Sequence, residues 1–483
     1  MQMWAMRQAA RRRDLFLFMG AAVCAALFAR LIQAQNTNEV QKEFAAAVSD
    51  YESGQFAKAA SELESLTRRL PSSFRVQELL GLVYSAESRN LEANLHFRRA
   101  VQLRPGSAAA RANLAINLSR LGRKSQAEAE FKQALRMDPG SYQLNENFGQ
   151  FCLRSGKLAE AVPYLAKAEN AHPTYENGYN LALAYFKTGR PREAKAEIQG
   201  LLKTKDTAGL HSLLGEVDEK LGDFIAAANE YQQAARMDPT ESNIFDWGAE
   251  LLVHHTLDPA LEVFSEGVKR YPDSPRLEVG LGLAYYWHER FDDAVKALLR
   301  AIDLSPSDPR VYYFLSEAYG RAPSQAPEVI EHFRRFAELR PRDGKAQFYY
   351  AMSLWKGNET ATSGAVLNQV EILLKKAASL DPELAQAHFA LGSLNAQEGK
   401  FQLAVREYER AIKLDPNNAA AHYRLGQMYM RIGRRELAQQ EFQVHQRLYR
   451  QQRAESIKEH NQIRKFVYSL KSNPSQPMDK EPR

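Results

Sequence analysis

Apolar residues along this chain recur three and four positions apart, and a proline interrupts the pattern at near-regular intervals. In QELLGLVYSAESRNLEANLHFRRAVQLRP, residues 77–105, Leu80, Gly81 and Tyr84 share one helical face, and Ala93, Phe97 and Ala100 share a stripe on a second helix. Small residues at Gly81 and Ala93 let the two backbones approach, while Tyr84 and Phe97 fill the space beside them. Pro105 then stops the second helix, because proline has no amide donor and crowds the preceding turn. The segment predicts a helical hairpin.

That hairpin is written many times. Its closing phrase FRRAVQLRP (97–105) returns as FRRFAELRP (333–341). The terminating prolines Pro71, Pro105, Pro139, Pro173, Pro239, Pro272, Pro306, Pro341, Pro382 and Pro416 mostly stand about 34 residues apart. The core positions recur as Leu114, Ala115, Ala127, Phe131 and Ala134, as Leu391, Gly392, Ala404, Tyr408 and Ala411, and as Leu425, Gly426, Tyr429, Ala438 and Phe442. A fixed period of this size predicts stacked units, each burying one face on the next.

These residues resemble the tetratricopeptide repeat (TPR) family over residues 37–450, in about twelve units. The resemblance implies an all-α fold, a right-handed α-solenoid superhelix of helix-turn-helix units with no catalytic domain. It also implies that the first helices of successive units line a concave groove for extended peptides or partner helices. Four units match less well. The first has Ala46 and Ala47 at the Leu-Gly positions, the fifth has Asp206 where proline belongs, the ninth has an extra residue between its helices, and the tenth carries the polar insertion KGNETATSGA (356–365). A helix over 451–470 is expected to cap the open end of the stack with Ile457, Ile463, Phe466 and Val467, and 471–483 is too polar to fold.

The first 36 residues read differently. Arg7, Arg11, Arg12 and Arg13 precede the apolar run Leu15–Ala29, and RLIQAQ follows it, as in a signal peptide or an N-terminal membrane anchor through residues 15–32. Cleavage and retention are both open, and RRDLF (12–16) loosely resembles a twin-arginine export signal. The expected location is extracytoplasmic, either free in the periplasm or anchored to the inner membrane and facing it.

Composition narrows the chemistry. The 483 residues are 45% hydrophobic and 25% charged, which suits a folded chain, and two cysteines exclude a disulfide framework. The net charge of +6 is spread over 64 basic and 58 acidic residues, so no nucleic-acid groove is indicated. No cofactor or metal is expected. The Gly-Lys endings at 149–157 and 392–400 lack the spacing of a phosphate-binding loop, and the adjacent His254 and His255 would point about 100° apart on a helix. Cys152, His388 and His422 fall at repeat core or edge positions.

Partner contacts are expected on the groove. Asn113, Asn147 and Asn180 precede the Leu-Gly position in three consecutive units. A ladder of carboxamides can pair with the backbone of an extended ligand whatever its side chains. This resembles the asparagine ladder in the superhelical domain of O-linked N-acetylglucosamine transferases. The series ends at Leu213 and becomes Asp246. The alternative is that these asparagines bridge neighbouring helices or face water. Units eight to ten add Tyr286, Trp287, Tyr313, Phe314, Phe348, Tyr349 and Trp355 at positions facing the groove or packing between first helices. A protein or peptide partner is the leading expectation, and a glycan of the cell envelope or an unfolded segment held by a chaperone-like protein are the alternatives.

Overall fold

The computed structural model describes residues 37–322, 325–358, 364–452 and 467. The expected N-terminal export element, residues 359–363 of the polar insertion in repeat ten and most of the expected cap lie outside them. Among the described residues, 24 helices follow one another as twelve hairpins, from Thr37–Glu52 paired with Phe56–Arg69 to Ala419–Arg431 paired with Arg435–Gln452. The chain divides into two compact units, one ending at Glu230 and the other beginning at Tyr231, with the division falling in the sequence of the helix Phe224–Met237. Among the described residues no helix is long and apolar enough to cross a membrane.

Each hairpin closes where a small residue on the first helix meets a large one on the second. At Gly81, an added Cβ would lie 2.7 Å from the Phe97 ring, and at Gly392 it would lie 2.8 Å from the Tyr408 ring. Leu80, Ala93, Phe97 and Ala100 are all buried around this contact. The approach brings the two helices close enough to exclude water from both stripes, and burying a side chain such as Phe97 contributes on the order of 2 kcal/mol.

Polar residues tie the hairpins together at their ends. The fourth residue of the first helix reaches the second helix nineteen residues on, as in Arg111–Glu130 (2.7 Å), His388–Glu407 (2.8 Å) and His422–Glu441. From the same position a side chain donates to the carbonyl of the preceding linker proline. Gln77 does so to Pro71 (3.3 Å), Arg111 to Pro105 (3.2 Å), Asn145 to Pro139 (3.1 Å) and Tyr312 to Pro306 (3.1 Å). The carbonyls left over where a helix stops are thereby satisfied. His388 and His422 are edge struts of this scheme, and Cys152 is fully buried, with burial pushing its thiol up to about 12.

The described turns inside the hairpins use a left-handed residue, supplied for example by Gly122, Gly156, Gly189, Gly399 and Gly433 with φ between 74° and 81°. Ser88, His255 and Glu289 occupy the same place at φ 62°, 59° and 60°. A side chain there costs about 1 kcal/mol relative to glycine. Glu289 is exposed. Glu289→Gly is therefore expected to stabilise the C-terminal half by about 0.5–1 kcal/mol, read as a rise in urea midpoint; an unchanged or lower midpoint would contradict the strain.

Candidate functional site

Positions two, five, nine and twelve of the first helices form a stripe that points away from the paired second helix. In the N-terminal half this stripe is polar. Repeat two places Arg75, Glu78, Leu82 and Ser85 there, all partly exposed, and repeat four places Gln143, Glu146, Gln150 and Leu153. Asn113, Asn147 and Asn180 stand beside the stripe at position six and are half-buried.

The asparagines are not equivalent. Asn113 donates to the Glu78 carboxylate, a partner on the neighbouring first helix. Burial raises the Glu78 carboxyl to about 7, and the Arg104 charge and the Asn113 hydrogen bond only partly oppose it. At the far end of the series the amide nitrogen of Asn180 is buried without a hydrogen-bond partner. Such a donor costs about 1–3 kcal/mol when left unmade. Asp246, the acidic continuation of the series, is already neutralised. Arg276 from the next first helix donates to it at 3.1 Å, and the same guanidinium lies 3.8 Å from the centre of the Phe245 ring. Burial lowers the Arg276 pKa, with Asp246 and Glu241 opposing. Asp246 therefore stands in a largely buried ion pair between repeats seven and eight.

The aromatic residues also divide. Tyr286 is 5% exposed and Phe314 is 4% exposed, so both stand packed rather than open. Tyr286 packs edge-on against Phe291 at 5.5 Å, and Phe314 lies edge-on to Tyr313 at 5.0 Å. Trp287 is half-buried with its ring 4.9 Å from His255, and Tyr349 is half-buried between Phe333 and Phe348. Phe348 and Trp355 stand apart from these. Together with Met352 they supply one wall of a cleft of about 410 Å³, and Gln386, Phe389 and Ser393 on the next first helix supply the other. All six occupy the stripe positions of repeats ten and eleven.

Ser393 donates to the Phe389 carbonyl at 3.0 Å and pairs with the Tyr408 hydroxyl at 3.0 Å, which leaves the cleft mainly apolar walls. Its volume falls in the range of ligand pockets and would accept one or two apolar side chains. Phe389 and Met352 were missed from the sequence, although Phe389 repeats the helical position of Phe348. Among the described residues no three His, Cys, Asp or Glu side chains are grouped to hold a metal.

Sequence comparison agrees with this architecture. The "Tetratricopeptide repeat" profile matches residues 44–108, 113–176, 179–242 and 245–309, and a second profile, "TPR repeat", matches 394–433. The first alone covers more than half of the chain. The chain belongs to the tetratricopeptide repeat family. No catalytic domain is matched beside the TPR array, and no curated protein matches the sequence. Among solved structures, the yeast Tom70 structure is similar over 92% of this chain and 98% of its own, at 15% identity and a TM-score of 0.34. The structure of Naa15/Naa10 bound to HypK-THB is similar over 84% of this chain and 68% of its own, at 15% identity and a TM-score of 0.36. YrrB, described as a TPR protein with an unusual peptide-binding site, covers 45% of this chain and 96% of its own, at 20% identity and a TM-score of 0.27. TPR proteins generally bind protein or peptide partners.

The Glu78 carboxyl provides a check on the polar stripe. Its folded pKa lies above the ordinary carboxyl value, so its contribution to stability is complete at low pH and is lost as pH rises from about 4.5 to about 7. Glu78→Gln is expected to stabilise the protein at pH 8, on the order of 1 kcal/mol, and to be near neutral at pH 4. Urea unfolding at the two pH values reads this, and an equal effect at both would contradict the shift.

Proposed function

We propose that this TPR protein is a non-catalytic scaffold that holds a segment of a protein partner against the stripes of its first helices. In this reading residues 15–32 export or tether the chain, and the repeats face the periplasm. The observation that carries the binding reading is the cleft between repeats ten and eleven, where Phe348, Met352, Trp355 and Phe389 stand partly exposed on adjacent helices. Apolar and aromatic groups held on rigid helices lose little side-chain entropy when a partner covers them, which is why such residues anchor interfaces. The half-buried asparagines of repeats three to five add polar groups beside the stripe that can pair with a partner's backbone.

The aromatic walls would also stack on sugar rings, so a role beside a cell-envelope polysaccharide is the second reading. Titration separates the two. Isothermal titration of the full chain against arrayed peptides carrying paired apolar side chains is expected to find saturable micromolar binding, weakened at least tenfold by Phe389→Ala or Trp355→Ala. Tenfold corresponds to about 1.4 kcal/mol. Binding of oligosaccharides in place of peptides would replace the scaffold reading with the glycan one, and a peptide affinity indifferent to both substitutions would remove the cleft from the account.

A further inference from the structure

The first helix of repeat eight, Pro275–Trp287, is buried where its equivalents are open. Every residue from Arg276 to Ala284 is buried, and so is Tyr286. Those include the stripe positions Arg276, Val279, Leu283 and Tyr286, whose counterparts in repeat two are the partly exposed Arg75, Glu78, Leu82 and Ser85. Repeat seven behaves in the same way, with Phe245, Ala249 and Leu252 fully buried at stripe positions. A hairpin buries its first helix against its own second helix and against its neighbours, which leaves the stripe uncovered. Something else therefore lies over the stripe of repeats seven and eight.

One group from far along the chain is buried in the same cluster. Val467 is 1% exposed and belongs to the hydrophobic cluster built from residues 244–346, not to the cluster of repeat twelve that precedes it in the chain. The last hairpin ends at Gln452, and the fifteen residues from there to Val467 can span up to about 50 Å when extended. The sequence around Val467, NQIRKFVYSL, places Ile463, Phe466, Val467 and Leu470 at the three-and-four spacing of one helical face. The stripe of repeats seven and eight is mostly apolar, unlike the charged and amide-rich stripes of repeats two and four.

We propose that the stripe of repeats seven and eight is a docking groove for an apolar helical segment and that this chain's own residues 463–470 occupy it, anchored by Val467. The proposal rests on the reading of the stripes as the binding wall and adds that one stretch is self-occupied, so that a partner carrying a similar apolar face must displace the tail. A tail bound within its own chain competes at high effective concentration, so modest contacts are enough to exclude a weaker rival.

The test uses the full chain and no outside partner, which separates its failure from that of the scaffold reading. In Val467→Asp, hydrogen exchange of residues 276–286 is expected to accelerate at least tenfold while residues 76–84 keep their protection, and Val467→Ile should retain the original pattern. A fluorescein-labelled peptide of residues 457–472 should bind the Val467→Asp protein at least tenfold more tightly than the unaltered protein. Unchanged exchange at 276–286 together with no gain in peptide binding would overturn the proposal. So would a dimer by light scattering that Val467→Asp converts to monomers, since the tail would then come from a second copy. If Val467→Asp lost protection throughout, the milder Val467→Ala decides: selective exchange at 276–286 supports the proposal, and uniform exchange overturns it.

Discussion

In six of the hairpins a ring or a leucine on the second helix lies directly over a glycine on the first. Gly81 under Phe97, Gly149 under Leu165 and Gly392 under Tyr408 leave no room for even a Cβ without displacement. This contact sets how near the two backbones stand, and the spacing in turn brings the flanking stripes of leucine and alanine into contact. A glycine inside a helix is otherwise unfavourable by about 1 kcal/mol. Its recurrence at this one position is the mark of a packing demand stronger than helix propensity. The proline that ends the second helix and the polar side chain that caps its carbonyl then pass the chain to the next hairpin in the same orientation.

Because the interior of every hairpin is built alike, differences between repeats collect on the stripe that faces away from it. The stripe is polar in repeats two and four, apolar and covered in repeats seven and eight, and apolar and open in repeats ten and eleven. One scaffold thereby presents surfaces with different chemistry in sequence along the chain. The open stretch supplies a cleft, while the buried Arg276–Asp246 pair and the cover over Val279 and Leu283 close the stretch before it. A buried ion pair of this kind contributes little net stability, but removing one partner strands the other charge, so it holds the junction of the two first helices in one register.

The hairpins and their cores were legible in the sequence because they follow from local periodicity. Leu80, Gly81, Ala93, Phe97 and Ala100 share faces for reasons visible within one repeat, and their burial follows. The weak matches also form hairpins, since Ala47 in repeat one and Ala351 in repeat ten still provide the small residue that the contact needs. What periodicity does not convey is the identity of the group across from a stripe. Tyr286 and Tyr313 occupy stripe positions in adjacent repeats, yet one is buried and the other partly exposed. Asp246 meets an arginine thirty residues away, and Glu78 acquires its raised pKa from burial, which Arg104 and, on the following first helix, Asn113 only partly offset. Phe389 could have been found by carrying the position of Phe348 forward one repeat. Val467 could not, because its neighbours are more than a hundred residues distant in the chain.

The claim that one tight pairing governs the hairpin is tested most directly by exchanging bulk across it. Gly81→Leu and Phe97→Ala are each expected to destabilise the protein by about 3 kcal/mol or more, through overpacking and cavity formation respectively. Chemical unfolding of the double variant should show a loss smaller than the sum of the two by at least about 1 kcal/mol, because the new leucine fills the space the ring vacates. Losses that simply add would mean that the two positions do not set each other's spacing, and the account of how these repeats pack would be wrong.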